Sequence, residues 1–250
     1  MGPARSLMQA SFGLAFAVLR HGTAGQVPSP ETFAPFWPLE RGRPDEKTMP
    51  LKDQIKNYAK KLVEDRPDPA RLREMMRPRK PLSLIFADDG IIPNNPRFPV
   101  IIYRGAVKVS GSRFDPAVVI DTLFETNGWV RSWRDTVYDF VHYHSQIHEV
   151  MGVARGTATL EFGGVKGRKV RLKAGDVAIL PAGTGHRLIE ASRSFLVVGA
   201  YPEDGTYDEC TDTRDRTEAA KRIAKTRRPD ADPVFGKNGS LTRLWRGRAP

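Results

Sequence analysis

The chain has 250 residues, a formal net charge of +11 and 40% hydrophobic residues. That length fits one sizeable domain with extensions, or two small ones, and no run of about 18 apolar residues is present to span a membrane. The single cysteine, Cys210, excludes an intrachain disulfide and a cysteine-based zinc site.

The first 30 residues lack Asp and Glu, and an apolar run at 12–19 follows Arg5. This is a faint leader-peptide pattern beside an otherwise cytoplasmic reading. Leu51, Ile55, Tyr58 and Leu62 recur at helical spacing and predict an amphipathic helix over 51–64. A second short helix is predicted over 70–76, before Pro78 and Pro81 break the chain. Residues 1–80 therefore read as a basic, Pro-rich extension, partly disordered at its start. Strands are predicted at 84–86 and 98–103, on either side of the turn chemistry of Gly90–Pro96. Asp115 before Pro116 predicts an N-cap with Pro at the first helical position, and Gly128 closes that helix.

A dense β region follows. Strands are predicted at 137–144, 149–153, 156–162, 169–172, 177–180, 187–189 and 195–198, punctuated by glycine. Short strands at regular spacing point to an all-β barrel or sandwich over 81–205. Residues 206–250 turn polar, with a helix predicted at 217–225 and short elements at 232–236 and 241–245 that pack back on the barrel. Lys221, Arg222, Lys225, Arg227 and Arg228 form the densest basic run, but acidic residues interleave and no nucleic-acid motif is present. A solvated face is the reading, with no specific nucleic-acid partner. Asp208, Glu209 and Asp212 would raise the pKa of a Cys210 thiol, which argues against a nucleophile.

Three of the five histidines, His142, His144 and His148, fall within seven residues. In a strand, His142 and His144 project together while Tyr143 points away. Two imidazoles so placed can share an ion, although such a pair also arises by chance on surfaces. Glu149 can enter from the neighbouring strand. His148 and Glu149, being adjacent, face opposite sides, so one of them ligates; Glu149 is preferred and His148 is its competitor. His186 follows a tight turn at Pro181–Gly183 and points inward.

Residues 142–156 (HYHSQIHEVMGVARG) and 175–186 (GDVAILPAGTGH) are similar to the two cupin motifs in both spacing and order. Eighteen residues separate Gly156 from Gly175, enough for the intervening hairpin. The resemblance implies a double-stranded β-helix, the jelly-roll barrel of RmlC-like proteins. It also implies His142, His144, Glu149 and His186 as ligands of a divalent transition metal. Thr136 stands where the first motif usually has Gly, and Glu190 where the second often has Asn; neither removes a ligand. ADDGIIPNNPRFPVIIYRGA, NGWVRSW, FLVVGAYP and DPVFG extend the resemblance to bacterial YjlB-type single-domain cupins over most of 83–246. That narrower likeness implies no particular reaction. Cupins often pair through barrel faces or exchanged strands, so a homodimer is an option.

Imidazole suits Fe, Ni, Cu and Zn, and the carboxylate also suits Mn. A metal-dependent enzyme acting on a small-molecule substrate is the first reading, as an oxygenase before an isomerase or decarboxylase. A non-catalytic module that binds a small ligand or a metal is the alternative. Tyr138, sharing the face of His142, and Glu190, sharing the strand parity of His186, are the pocket candidates. Phe140 and Leu188 read as barrel core; Arg131 or Arg134 could bind an anionic substrate, although exposed arginines usually do not.

Overall fold

The computed structural model describes residues 65–211 and 213–246. The predicted helix over 51–64 and the apolar run at 12–19 lie outside the described residues.

Two Asp-Pro steps open the first two helices. Helix α1 (Pro69–Met75) starts where Asp68 Oδ1 accepts from the N–H groups of Ala70 and Arg71 at 2.8 and 2.9 Å. Helix α2 (Pro116–Thr126) repeats the device with Asp115, which accepts from Ala117 N–H at 2.8 Å. A carboxylate satisfies donors that the first turn leaves free, and proline lacks a donor there to satisfy.

The strands are β1 (Leu82–Leu84), β2 (Val100–Tyr103), β3 (Trp129–Asp135), β4 (Glu149–Arg155), β5 (Thr157–Phe162), β6 (Arg168–Lys173), β7 (Val177–Leu180), β8 (His186–Ala191) and β9 (Leu196–Pro202). They form a six-stranded sheet in the order β1-β2-β7-β4-β9-β3 and a three-stranded sheet in the order β6-β5-β8. The predicted jelly-roll barrel is the fold that forms, with every strand pairing antiparallel.

The period of two decides what the six-stranded sheet covers. Val100, Ile102, Met151, Val153, Ala178, Leu180 and Val197 point inward and meet Leu160, Phe162 and Leu172 of the facing sheet. Ile101, Tyr103, Val150, Ala154, Val177, Ile179, Val198 and Ala200 point outward, under Ile120, Leu123 and Phe124 of α2. Strands buried on both faces read as continuous apolar runs, as VAIL in β7 does. Each large side chain so buried contributes about 1.5–3 kcal/mol of transfer free energy.

The strand predicted at 137–144 does not form. The regular strand lies earlier, at β3, and pairs with β9 through a bulge between Val130 and Trp133, where Arg131 takes φ +52°. Beyond Asp135 the chain leaves the sheet. His142 then makes a single bridge with His186, and Tyr143 a single bridge with Cys210. Alternation survives without a ladder because these two bridges clamp successive residues in extended form. Tyr143 points away from the histidines into a small core with Ile92, Ala182, Ala219 and Ile223.

The C-terminal segment carries α3 (Arg216–Lys225), which supplies Ala219 and Ile223 to that core, and α4 (Ser240–Leu244). Trp245 stacks on Phe98 with centroids 5.2 Å apart and donates to Pro99 O at 2.8 Å. Among the described residues, no helix is long and apolar enough to cross a membrane.

Candidate metal centre

Glu149 opens β4 on the same face as Met151 and Val153, so its carboxylate points into the barrel, opposite Leu180 of β7. After Leu180 the chain turns through Pro181–Gly185 and re-enters at His186. Gly183 makes this turn at φ +92°, where a Cβ would lie 2.9 Å from Asn94 O. Its N–H donates to His144 O at 2.7 Å. The glycine of the second motif therefore docks the turn onto the first motif. His142 and His186 exchange both backbone hydrogen bonds, at 3.2 and 2.9 Å.

His142, His144 and His186 are 5, 5 and 2% exposed. Each offers a ring nitrogen, and these nitrogens lie within 4.8 Å of one another, so the three could hold a metal ion. The other ring nitrogen of each is already used. Nδ1 of His142 meets Phe140 O at 3.3 Å, Nδ1 of His186 meets Thr184 O at 3.1 Å, and Nδ1 of His144 meets Asp208 O. A carbonyl only accepts, so each Nδ1 carries the proton and each Nε2 presents a lone pair. Glu149 Oε2 sits 3.2 Å from His186 Nε2 and 3.6 Å from His144 Nε2. Neither approach has hydrogen-bond geometry, and this buried oxygen has no hydrogen-bond partner. Three unprotonated imidazole nitrogens beside an orphaned carboxylate oxygen fit a divalent transition metal.

Burial, and then the positive charge of a protonated His186 or His144, bring the His142 pKa down to about 3. Burial opposes the charge on Glu149, but His144 and His186 outweigh it and hold the carboxyl below the usual range. Burial also opposes protonation of His144, yet Glu149 and the Asp208 carbonyl leave its pKa raised. Metal and proton therefore compete most directly at His144.

His148, the competitor to Glu149, is buried elsewhere. Its Nδ1 accepts from Ala182 N–H at 2.9 Å and its Nε2 donates to Arg227 O at 3.0 Å, so neither nitrogen is left for a ligand. Glu190 shares sequence parity with His186 but not its face. A bulge in β8 sets Leu188 opposite Leu160 and Glu190 opposite Thr159, which turns Glu190 outward to bond Thr159 Oγ1 at 2.9 Å. Tyr138 and Phe140 flank His142 at 5.2 and 5.7 Å, but both are largely exposed, so Phe140 is a rim residue rather than barrel core. Leu188 is half-buried against the inner cluster. The two arginines are engaged: Arg131 donates to Pro202 O and Gly205 O, and Arg134 to Asp121.

Three residues of the site escape a reading of the sequence. Tyr201, from β9, faces His144 edge-on at 5.9 Å and accepts from Trp133 Nε1 at 3.1 Å. Burial, and then Glu149, push its phenol far above the usual pKa, so it keeps its proton. Tyr207 lies over His144 at 5.0 Å. Asp208 orients His144 through its carbonyl, while its carboxylate accepts from the N–H groups of Ser145 and Gln146 at 2.9 and 3.0 Å. No spacing rule links residues some 60 positions downstream to the histidine pair. Burial and then Asp208 raise the Cys210 thiol, in keeping with an inert cysteine.

The family model described as cupin domain matches residues 138–198. The uncharacterized protein YjlB of Bacillus subtilis (strain 168) is 38% identical over 168 residues, covering 67% of this chain and 98% of that protein. The chain belongs to the cupin family. Solved structures similar to this cupin share less with it. A mutant of Bacillus subtilis oxalate decarboxylase OxdC is 18% identical over 48% of this chain and 29% of its own, with a TM-score of 0.29. The WlaRB TDP-quinovose 3,4-ketoisomerase of Campylobacter jejuni is 13% identical over 36% of this chain and 74% of its own, with a TM-score of 0.29. The DMSP lyase structures RdDddP and RnDddQII give 19% identity over 32% of this chain and 40% of theirs, with a TM-score of 0.26. The chain thus spans well under half of the lyase and decarboxylase chains, and their reactions remain theirs.

Proposed function

We propose that this cupin binds a divalent transition metal through His142, His144, His186 and Glu149 and uses it to act on a small organic molecule. Oxygenation is the first reading, with isomerisation or decarboxylation next. One observation carries it: three imidazoles, each with Nδ1–H held by a backbone carbonyl, turn their Nε2 atoms toward a buried carboxylate oxygen that has no hydrogen-bond partner. When bound, such an ion supplies Lewis acidity and sites for water, dioxygen or a substrate oxygen.

The chain's own residues do the rest. Glu149 and the three histidines, each at most 5% exposed, fix the donor set. Trp133 donates to the Tyr201 oxygen and so leaves the phenol proton free to serve Glu149 or a bound substrate oxygen. A phenol that keeps its proton next to a carboxylate is suited to donate a hydrogen bond to negative charge developing on a substrate oxygen.

Elemental analysis of the purified full-length protein, without an affinity tag, is expected to find about one transition-metal ion per chain. Iron, manganese, nickel, zinc and copper all suit the donors. Protein that stays metal-free after incubation with each of these would overturn the reading.

Glu149→Gln separates the two roles of that carboxylate. Metal affinity, measured by competition with a chelator, is expected to fall by at least about tenfold. The metal-free protein is expected to melt at a lower temperature at neutral pH, because the carboxylate that His144 and His186 hold in its charged form has been removed from the pair. Unchanged affinity would remove Glu149 from the ligand set.

A further inference from the structure

The rim of the site carries aromatic surface that the fold does not use. Tyr138 and Phe140 stack on each other with centroids 4.8 Å apart and planes 16° apart. Each nevertheless remains 44% exposed. They lie against His142, while Tyr207 lies over His144 and is 38% exposed. These rings come from segments about 70 residues apart in sequence, yet both border the same group of three histidines. Elsewhere on the described surface, the exposed large apolar residues Ile85, Ile91, Val165 and Ile189 are aliphatic. Among the described residues, all three exposed aromatic rings therefore gather at the histidines.

Charge narrows what such a surface would take. Tyr207 Oη donates to Glu209 at 3.1 Å, Asp139 separates the two stacked residues in sequence, and Glu149 lies within the site. The arginines of the adjoining strands β3 and β8 are occupied: Arg131 by two carbonyls, Arg134 by Asp121, and Arg187 by Glu161 at 2.9 Å. Apart from the pull of a bound ion, a carboxylate or phosphate on the substrate would meet acidic neighbours at this rim and no free guanidinium from those strands. Because the two rings stack on each other, each leaves only its outer face to a ligand, and one flat face without a surrounding cage suits a planar ring better than a rounded cation.

We propose that Tyr138, Phe140 and Tyr207 form a stacking platform that selects an uncharged planar aromatic molecule for this site. The inference rests on the metal-dependent reading for its catalytic meaning, but ring stacking itself does not need the ion.

Calorimetry on the purified full-length protein, with metal content measured on the same sample, tests it with four probes: phenol, cyclohexanol, benzoate and tetramethylammonium. Phenol is expected to bind about tenfold more tightly than cyclohexanol, as one good aromatic contact would give. In the presence of a chelator, which removes the ion's own pull on a carboxylate, benzoate and tetramethylammonium should both bind more weakly than phenol. Replacing Tyr138 and Phe140 together by Ala should erase the preference for phenol over cyclohexanol. Tyr207→Leu, on a separate segment, should reduce it. All three side chains are exposed enough that these variants should fold. Equal binding of phenol and cyclohexanol, no binding of phenol, a preference that survives in the double variant, or tighter binding of either charged probe in chelator would overturn the platform. Protein that stays metal-free after incubation with each of the five metals yet still prefers phenol would sink the metal-dependent reading alone. Metal-loaded protein without the preference would sink the platform alone.

Discussion

His186→Ala is expected to release the metal while the barrel stays folded. Its Nε2 is one of three imidazole donors and the one nearest the orphaned Glu149 oxygen, at 3.2 Å. Losing one of four donors should weaken binding by about a hundredfold or more, some 2.7 kcal/mol. The backbone at this position is held independently of the ring. It exchanges hydrogen bonds with His142 on one side, and β8 pairs with Phe162 of β5 on the other. In the presence of a chelator, the substitution should therefore cost only about 1–2 kcal/mol, for the space left by the ring. Metal analysis together with thermal melts in chelator measures both parts. His142→Ala should behave in the same way. Full occupancy in both variants would remove these histidines from the ligand set, and a molten barrel in chelator would show that the ring is structural.

Acid should destabilise the protein through His148, by about 3 kcal/mol between pH 6.5 and 4. Burial holds its folded-state pKa down at about 4, against 6.5 for an ordinary histidine. The unfolded chain therefore takes up the proton first as pH falls. The stabilisation is complete above pH 6.5, is lost progressively down to about pH 4, and changes little below that. The structural reason is that neutral His148 accepts from Ala182 N–H and donates to Arg227 O, which ties the Pro181–Gly183 turn to the C-terminal segment. A protonated ring cannot accept, so the Ala182 donor would be left unpaired in a buried site. His142, with a pKa of about 3, acts in the same direction in metal-free protein. His148→Gln isolates the effect: it should be less stable than wild type at pH 7 but lose less on acidification to pH 4.5. A direct NMR titration of the His148 ring should show no protonation until near pH 4. An ordinary titration near 6.5 would contradict the assignment.

The histidine pair was legible in the sequence because an extended backbone alternates, and alternation needs only two fixed residues. It held even though the predicted strand did not form, since the bridges to His186 and Cys210 clamp His142 and Tyr143 in turn. Parity failed at Glu190 for a related reason. One extra residue in a bulge inverts every face beyond it, and nothing in the local sequence at Leu188–Glu190 announces the bulge. Phe140 misled because an aromatic side chain at the right parity is usually core, whereas here the chain has already left the sheet and carries it to the rim.

The sequence alone determined the architecture and the donor types. Period-two apolar runs, glycine-marked turns and two motifs in register can be read from neighbours along the chain, because they follow from local backbone geometry. The tertiary structure alone decided which nitrogen of each imidazole faces inward, and why His148 is excluded. It also brought Tyr201, Tyr207 and Asp208 to the histidines. Those outcomes depend on carbonyls, rings and carboxylates supplied by segments far apart in the chain, and only the closed barrel brings them within hydrogen-bonding or stacking distance.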